Sequence, residues 1–205
     1  MRTYPIMLDL RGRLAVVVGG GRVGLRKAQS LRDAGARVRL VSPQVAAEAD
    51  LDGIDLLSEA YRANVLAGAA LVFACTDDVE LNRQVARDAR QIGALVNVAD
   101  TPAECDFYLA ATLRDGDVVV AVGSGGAAPA LAAWLKRRIA DRLPERLGAF
   151  AAVLEELRTQ LKAKVPDGSR RMELMRQLVS DGTHEAFLQD GPEAVRARLL
   201  RLLEG

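Results

Sequence analysis

The sequence predicts an α/β fold: a parallel sheet layered by helices, then a small separate segment, then a C-terminal helical domain. Three observations predict it. From residue 1 to about 112, apolar runs of strand length alternate with amphipathic stretches, the pattern of a parallel sheet covered on both faces. A glycine cluster, GGGRVG, joins the first apolar run to the first amphipathic stretch. From Pro144 onward strand signals stop and only helical spacing remains.

The elements follow in order. Residues 14–18 (LAVVV) read as a buried strand, residues 25–35 as a helix ended by Gly35, and residues 38–41 as a second strand. Further apolar runs at 54–57, 71–75 and 94–98 are strands. Between the last two, Leu81, Val85, Ala89 and Ile92 recur at helical spacing, with Asp77 or Asp78 as cap and Gly93 as stop. After Leu113 the character changes: RDGD is a turn, VVVAV a strand, GSGGAAP a second glycine-rich stretch, and residues 131–143 a helix. In the tail, Leu147, Phe150, Leu154, Leu157 and Leu161 form one apolar stripe. Met172, Met175, Leu178 and Val179 suggest a second helix, and Val195, Leu199 and Leu202 a third. The expected domains are 1–112, 113–145 and 146–205.

The glycine cluster carries chemistry. Gly19, Gly21 and Gly24 have the G-x-G-x-x-G spacing, between an apolar strand and a helix. The first glycine allows the tight turn, and the second leaves room for a pyrophosphate. The third lets helix and strand approach, while the helix N-terminus offers free N–H groups to the phosphates. This is a Rossmann-type dinucleotide site. A dinucleotide site of this kind often has an acid about twenty residues past the first glycine to hold the ribose. Here Arg39, Leu40, Val41, Ser42 and Pro43 stand there. Ser42 can meet a ribose hydroxyl, and Arg37 or Arg39 could meet a 2′-phosphate, so the residues alone leave NAD and NADP both open.

Composition narrows the partners. The chain has 205 residues, half of them hydrophobic, and a net charge of +1, which gives no argument for nucleic acid or an anionic membrane. Its two cysteines, Cys75 and Cys105, show no metal-ligand spacing, and the one histidine, His184, reads as a loop residue, so no metal site is expected. The start, MRTYPIMLDLRGR, lacks a signal-peptide layout, and no apolar run is long enough to span a membrane. A reducing cytoplasm is the expected location.

Four stretches together resemble the dehydrogenase module of siroheme synthases, the precorrin-2 dehydrogenase and sirohydrochlorin ferrochelatase family. They are YPIMLDLRGRLAVVVGGGRVGLRKAQSLRDAGARV, FACTDDVELNRQVA, NVADTPAECDFYLAA and VVVAVGSGGAAPALAAWLKRRI. The likeness runs from Tyr4 to about Leu147 and is looser beyond. It implies a nucleotide-binding domain, a dimerisation segment and a helical domain, working as a homodimer. The implied activity is NAD-dependent oxidation of precorrin-2 to sirohydrochlorin, followed in some members by insertion of ferrous iron, Fe2+ then being a co-substrate. The family often has a small non-glycine residue at Gly24, and hydroxyl residues where this chain has Gly123, Ala127 and Ala128, whereas Ser124 remains.

The resemblance also implies roles. Asp100, just past a strand end, falls on the family's functional aspartate and would be the general base or would orient the pyrrole N–H groups. By position it could equally cap the turn before Thr101 and Pro102. Arg22, Val23, Pro43 and Gln44 match NAD contacts, and Thr76 and Asp77 match a loop beside the ribose and nicotinamide. An eight-carboxylate tetrapyrrole substrate needs donors and positive charge, for which Asn97, Ser124, Gly125, Gly126 and Lys136 are candidates. Arg26 and Lys27, early in the nucleotide helix, read as surface residues. Two other classes share the fold: a different NAD(P)-dependent oxidoreductase, and a non-enzymatic nucleotide sensor.

Overall fold

Strand β1 (Leu14–Gly20) is apolar along its length because both of its sides are covered. Ala15 and Val17 point into one hydrophobic layer, Val16 and Val18 into the other. Four parallel neighbours complete the sheet, in the order β3-β2-β1-β4-β5. They are β2 (Arg37–Val45), β3 (Ile54–Leu57), β4 (Ala69–Ala74) and β5 (Leu95–Val98). The strand order reverses between β1 and β4, so the crevice where open α/β sheets take their ligands lies at the carboxyl ends of that pair. The structure is a computed structural model describing residues 3–47, 49–126 and 128–204. Its contacts divide the chain after Leu109 into two compact units.

Each face of the sheet has its helix. On one, α1 (Arg22–Asp33) sets Leu25, Ala28 and Leu31 against Ala15, Val17, Leu40 and Phe73. On the other, α2 (Val79–Gln91) and a 3₁₀ turn (Ala63–Leu66) bring Val85, Ala86, Ala89 and Leu66 onto Val16, Val18, Val72 and Val96. Each large apolar side chain buried this way contributes about 1.5–3 kcal/mol. Gly35 and Gly93, both at positive φ, stop the two helices as the sequence predicts, and of the two candidate aspartates Asp78 is the cap, accepting from the N–H groups of Glu80 and Leu81. Strict strand–helix alternation fails only around β3, where residues 46–53 and 58–68 are too short to hold a packed helix and a return path.

The second unit opens with an antiparallel hairpin, β6 (Ala111–Asp115) and β7 (Val118–Val122). VVVAV is a strand as expected. Its partner β6 is invisible in the sequence because Thr112 and Arg114 point to solvent and Leu113 is its one large apolar residue. The helices α3 (Pro129–Ala140) and α4 (Leu147–Lys164) follow, and the N–H of Gly148 donates to the Asp115 carboxylate at 2.9 Å.

In the tail, α5 (Gly168–Leu178), α6 (Asp181–Asp190) and α7 (Pro192–Glu204) pack with α4 around Phe150, Leu157, Leu161, Leu174, Leu178, Phe187, Val195 and Leu199. Two expectations need correction. Met172 and Val179 are exposed, because α5 buries the face through Leu174 and Leu178 instead. His184 lies on α6 rather than in a loop, with Nε2 2.8 Å from the Glu145 carbonyl and its ring edge-on to Phe150. Gly182 in the first turn hides this helix, which Ser180 starts by capping the N–H of Thr183.

Candidate active site

The turn between β1 and α1 is built by close backbone approach. Gly19 has φ +114, and a Cβ on it would lie 2.5 Å from the Cys75 carbonyl oxygen at the end of β4. A Cβ on Gly24 would lie 1.9 Å from the carbonyl oxygen of Gly19. Gly20, which the G-x-G-x-x-G spacing leaves unassigned, is equally constrained: its Cβ would meet the Gln44 carbonyl at 2.4 Å. Gly21 is different. It has ordinary extended backbone, and nothing lies within 4 Å of where its Cβ would be. Its missing side chain leaves open space in front of α1, the place a pyrophosphate needs.

The N-terminus of α1 is left open as well. No side chain caps it and no acid stands in its first turn. Its exposed first residues, Arg22 and Val23, and the buried Gly24 therefore present N–H groups and the positive end of the helix dipole. α2 on the other side of the sheet is closed by Asp78. This contrast fits an anionic ligand at α1.

The end of β4 is latched. Asn82, 6% exposed, receives both the N–H of Thr76 (3.1 Å) and its hydroxyl (2.8 Å), and returns a bond from its amide to the Thr76 carbonyl (2.8 Å). Thr76 is thus held in place at the crevice, while Asp77 is exposed and has no hydrogen-bond partner among the described residues. The apolar spacing of α2 gives no sign of Asn82.

The second strand runs further than the apolar run at 38–41: β2 continues through Ser42, Pro43 and Gln44 to Val45, whose partner is Gly20. The Ser42 hydroxyl donates to the Gln44 carbonyl at 2.6 Å, so its proton is not free for a ribose, while Pro43 and Gln44 are exposed. Arg39 is committed to Asp55 of β3 at 2.9 Å and to the Val65 carbonyl. Arg37 pairs with Leu14 at the opposite end of the strand from the glycine turn. Neither arginine is placed for a 2′-phosphate.

Asp100 is exposed, just past the carboxyl end of β5, and holds φ +57, a left-handed backbone that Asp and Asn tolerate better than most. A dense set of bonds shapes its loop. The Ala99 N–H donates to Ala74 at 2.9 Å, and Cys105 Sγ meets the N–H and carbonyl of Val98, each at 3.2 Å. Asp106 accepts from the Val96 N–H and from Arg90 of α2, which also reaches Glu104. Asn97 spends its amide on the Phe107 carbonyl at 2.9 Å, which makes it a brace of this loop. Since Cys75 bonds to Val18 and Ala99 to Ala74, the ends of β1, β4 and β5 carry the glycine turn, Thr76 and Asp100 side by side.

Ser124, Gly125, Gly126 and Lys136 belong to the second unit. Ser124 Oγ accepts from the N–H of Ala128 at 3.3 Å, Gly125 and Gly126 both have positive φ, and Lys136 is half-buried on α3. Ala127 lies outside the described residues. Among the described residues no His, Cys, Asp and Glu side chains gather into a group of three that could hold a metal ion, and no helix is long and apolar enough to cross a membrane.

This glycine turn, open helix end and parallel sheet lie within residues 6–111, which match a family described as putative NAD(P)-binding. The chain belongs to that family. Siroheme synthase of Pseudomonas paraeruginosa is 39% identical over 208 residues, covering 100% of this chain and 44% of that protein. Siroheme synthase of Azotobacter vinelandii is 38% identical over 204 residues, covering 98% and 44%. The chain therefore spans less than half the length of these curated relatives. Among solved structures, one described as SirC, precorrin-2 dehydrogenase, has a TM-score of 0.79 over 99% of this chain and 100% of its own, at 23% identity, which establishes a common fold.

Proposed function

We propose that the chain is a dehydrogenase that oxidises precorrin-2 to sirohydrochlorin with NAD. The observation that carries the reading is the placement of Asp100, exposed at the end of β5, beside an uncapped helix and an open glycine turn on the neighbouring strands. The siroheme synthase relatives align over its whole length, which supports the tetrapyrrole as substrate.

The fit to a dinucleotide rests on this chain's own groups: the space at Gly21, the free N–H groups of α1, and the latched Thr76. NAD bound there supplies a hydride acceptor. Arg22 and Val23 hold the pyrophosphate end through their backbone, and Thr76 and Asp77 line the ribose side. The commitments of Arg39 and the remoteness of Arg37 favour NAD over NADP. Loss of hydride from the macrocycle must be matched by loss of a proton, and Asp100 is the carboxylate positioned to take it.

The reading includes a cytoplasmic location and a homodimer formed through residues 113–145, supported by Trp134, 50% exposed, and Leu131, 44% exposed, on α3. Ser124, Gly125, Gly126 and Lys136 serve the substrate's carboxylates, and ferrous iron is a second substrate for the ring product. The test is a spectrum. Precorrin-2 should convert to the sirohydrochlorin chromophore when NAD is added, with kcat/KM for NADP well below that for NAD. Repeating the assay with ferrous iron reads the insertion step. No conversion with either cofactor refutes the reading.

A further inference from the structure

Lys27 is not the surface residue its place early in α1 suggests. Its side chain is half-buried, with Nζ 6.0 Å from the centre of the Phe73 ring. It makes no ion pair or hydrogen bond to any described residue. Holding an ammonium this way is costly unless an anion meets it, since burial favours the neutral amine and lowers the pKa of Lys27, with Arg26 adding to the effect. Contact with the Phe73 ring recovers a part of that cost.

What surrounds Lys27 is the floor of the Asp100 site. Phe73 and Cys75 lie on the same face of β4. Phe73 stacks edge-on with Phe107 of the Asp100 loop, ring centres 5.4 Å apart. Cys75 touches the glycine turn through its carbonyl and lies within electrostatic reach of Lys27, Asp100 and Arg26 together. The Lys27 cation thus rests on the aromatic ring that packs against Phe107 of the Asp100 loop, without pairing with Asp100. The pyrophosphate donors are in the first turn of α1, whereas Lys27 is further along and faces the sheet, so the cofactor's phosphates are already served.

We propose that Lys27 is a substrate-recognition residue: its ammonium receives one carboxylate of the tetrapyrrole and so sets the macrocycle against Asp100. This rests on the dehydrogenase reading for the identity of the anion. The macrocycle is rich in carboxylates, and a cation kept unpaired in the free protein gains its partner only when the substrate arrives.

The test is equilibrium binding to the full chain and to Lys27→Met, Lys27→Gln and Lys27→Arg, with sirohydrochlorin titrated by absorbance, NAD titrated separately, and Tm recorded. Met and Gln should weaken sirohydrochlorin about tenfold, the loss of one charge-assisted hydrogen bond. NAD affinity should stay within about twofold, Tm should be unchanged or higher in Lys27→Met, and Arg should restore most of the binding. Undiminished sirohydrochlorin affinity in both neutral variants overturns the proposal while leaving the dehydrogenase reading intact. So does a loss confined to NAD, which would make Lys27 a cofactor residue, or a fall in Tm with equal loss of both ligands, which would make it structural. Failure of the unaltered chain to bind sirohydrochlorin overturns both readings.

Discussion

Gly24 lies so close to Gly19 that a Cβ on the first would sit 1.9 Å from the carbonyl oxygen of the second. The contact is backbone to backbone, so no side-chain rotation relieves it. Gly24→Ala should push α1 away from the turn, lowering stability by about 1–3 kcal/mol and weakening NAD with it. Denaturant unfolding and an NAD titration on the same variant check both effects.

Gly21 should behave oppositely. With ordinary extended φ and nothing within 4 Å of its Cβ position, it accepts a side chain without strain in the free protein. Gly21→Val should therefore keep the native Tm and lose NAD affinity by at least about tenfold, 1.4 kcal/mol. Tight NAD binding by a folded Gly21→Val protein would remove the pyrophosphate from this turn.

Asn82 gives a third outcome. It is buried and closes three hydrogen bonds on Thr76. Asn82→Ala leaves half-buried backbone groups of Thr76 unpaired and should cost about 1–2 kcal/mol. It should also weaken NAD by loosening the end of β4, whereas Asp77→Ala should weaken NAD without a change in Tm.

These contrasts mark how far the sequence speaks. The sheet, both of its helices and their glycine stops are legible because apolar period and special backbone are local signals: Val16 and Val18 are buried wherever the strand packs, and Gly35 at φ +81 needs no distant partner. Asn82, Arg90 and Asp106 are not legible, since each acts on a segment that the spacing of its own helix or loop does not name. Arg39 shows the same limit: only its contact with Asp55 removes it from the 2′-phosphate question. Lys27 is the clearest case, because its half-buried state depends on Phe73, which a helix pattern cannot contain.

Cys75 supplies a pH prediction. Burial above all pushes its thiol up from the ordinary 9.0 to about 11; the cations Lys27 and Arg26 pull against this and Asp100 adds to it. The native state thus keeps the proton across a range where the unfolded chain releases it, so the unfolded state binds fewer protons there and stability falls as pH rises from about 9 to about 11. Denaturation at pH 8 and pH 10 should show a loss that is smaller in Cys75→Ala. Native Cys75 should also resist thiol reagents at pH 8 and react once the protein is unfolded.

In the proposed reading Asp100 is the base, and its backbone decides which variant tests it. At φ +57 an alanine pays about 1 kcal/mol for the left-handed conformation, so Asp100→Ala mixes a loop effect with the loss of the carboxylate. Asparagine tolerates that conformation and keeps an acceptor, removing basicity alone. Asp100→Asn should fold with an unchanged Tm, bind NAD normally, and oxidise precorrin-2 about 10²–10⁴-fold more slowly. If the loss is instead small in Asp100→Asn and large in Asp100→Ala, the side chain serves the turn and the proton leaves to water. The distinction is read from kcat at saturating substrate, because a positioning defect raises KM while the absence of a base lowers kcat.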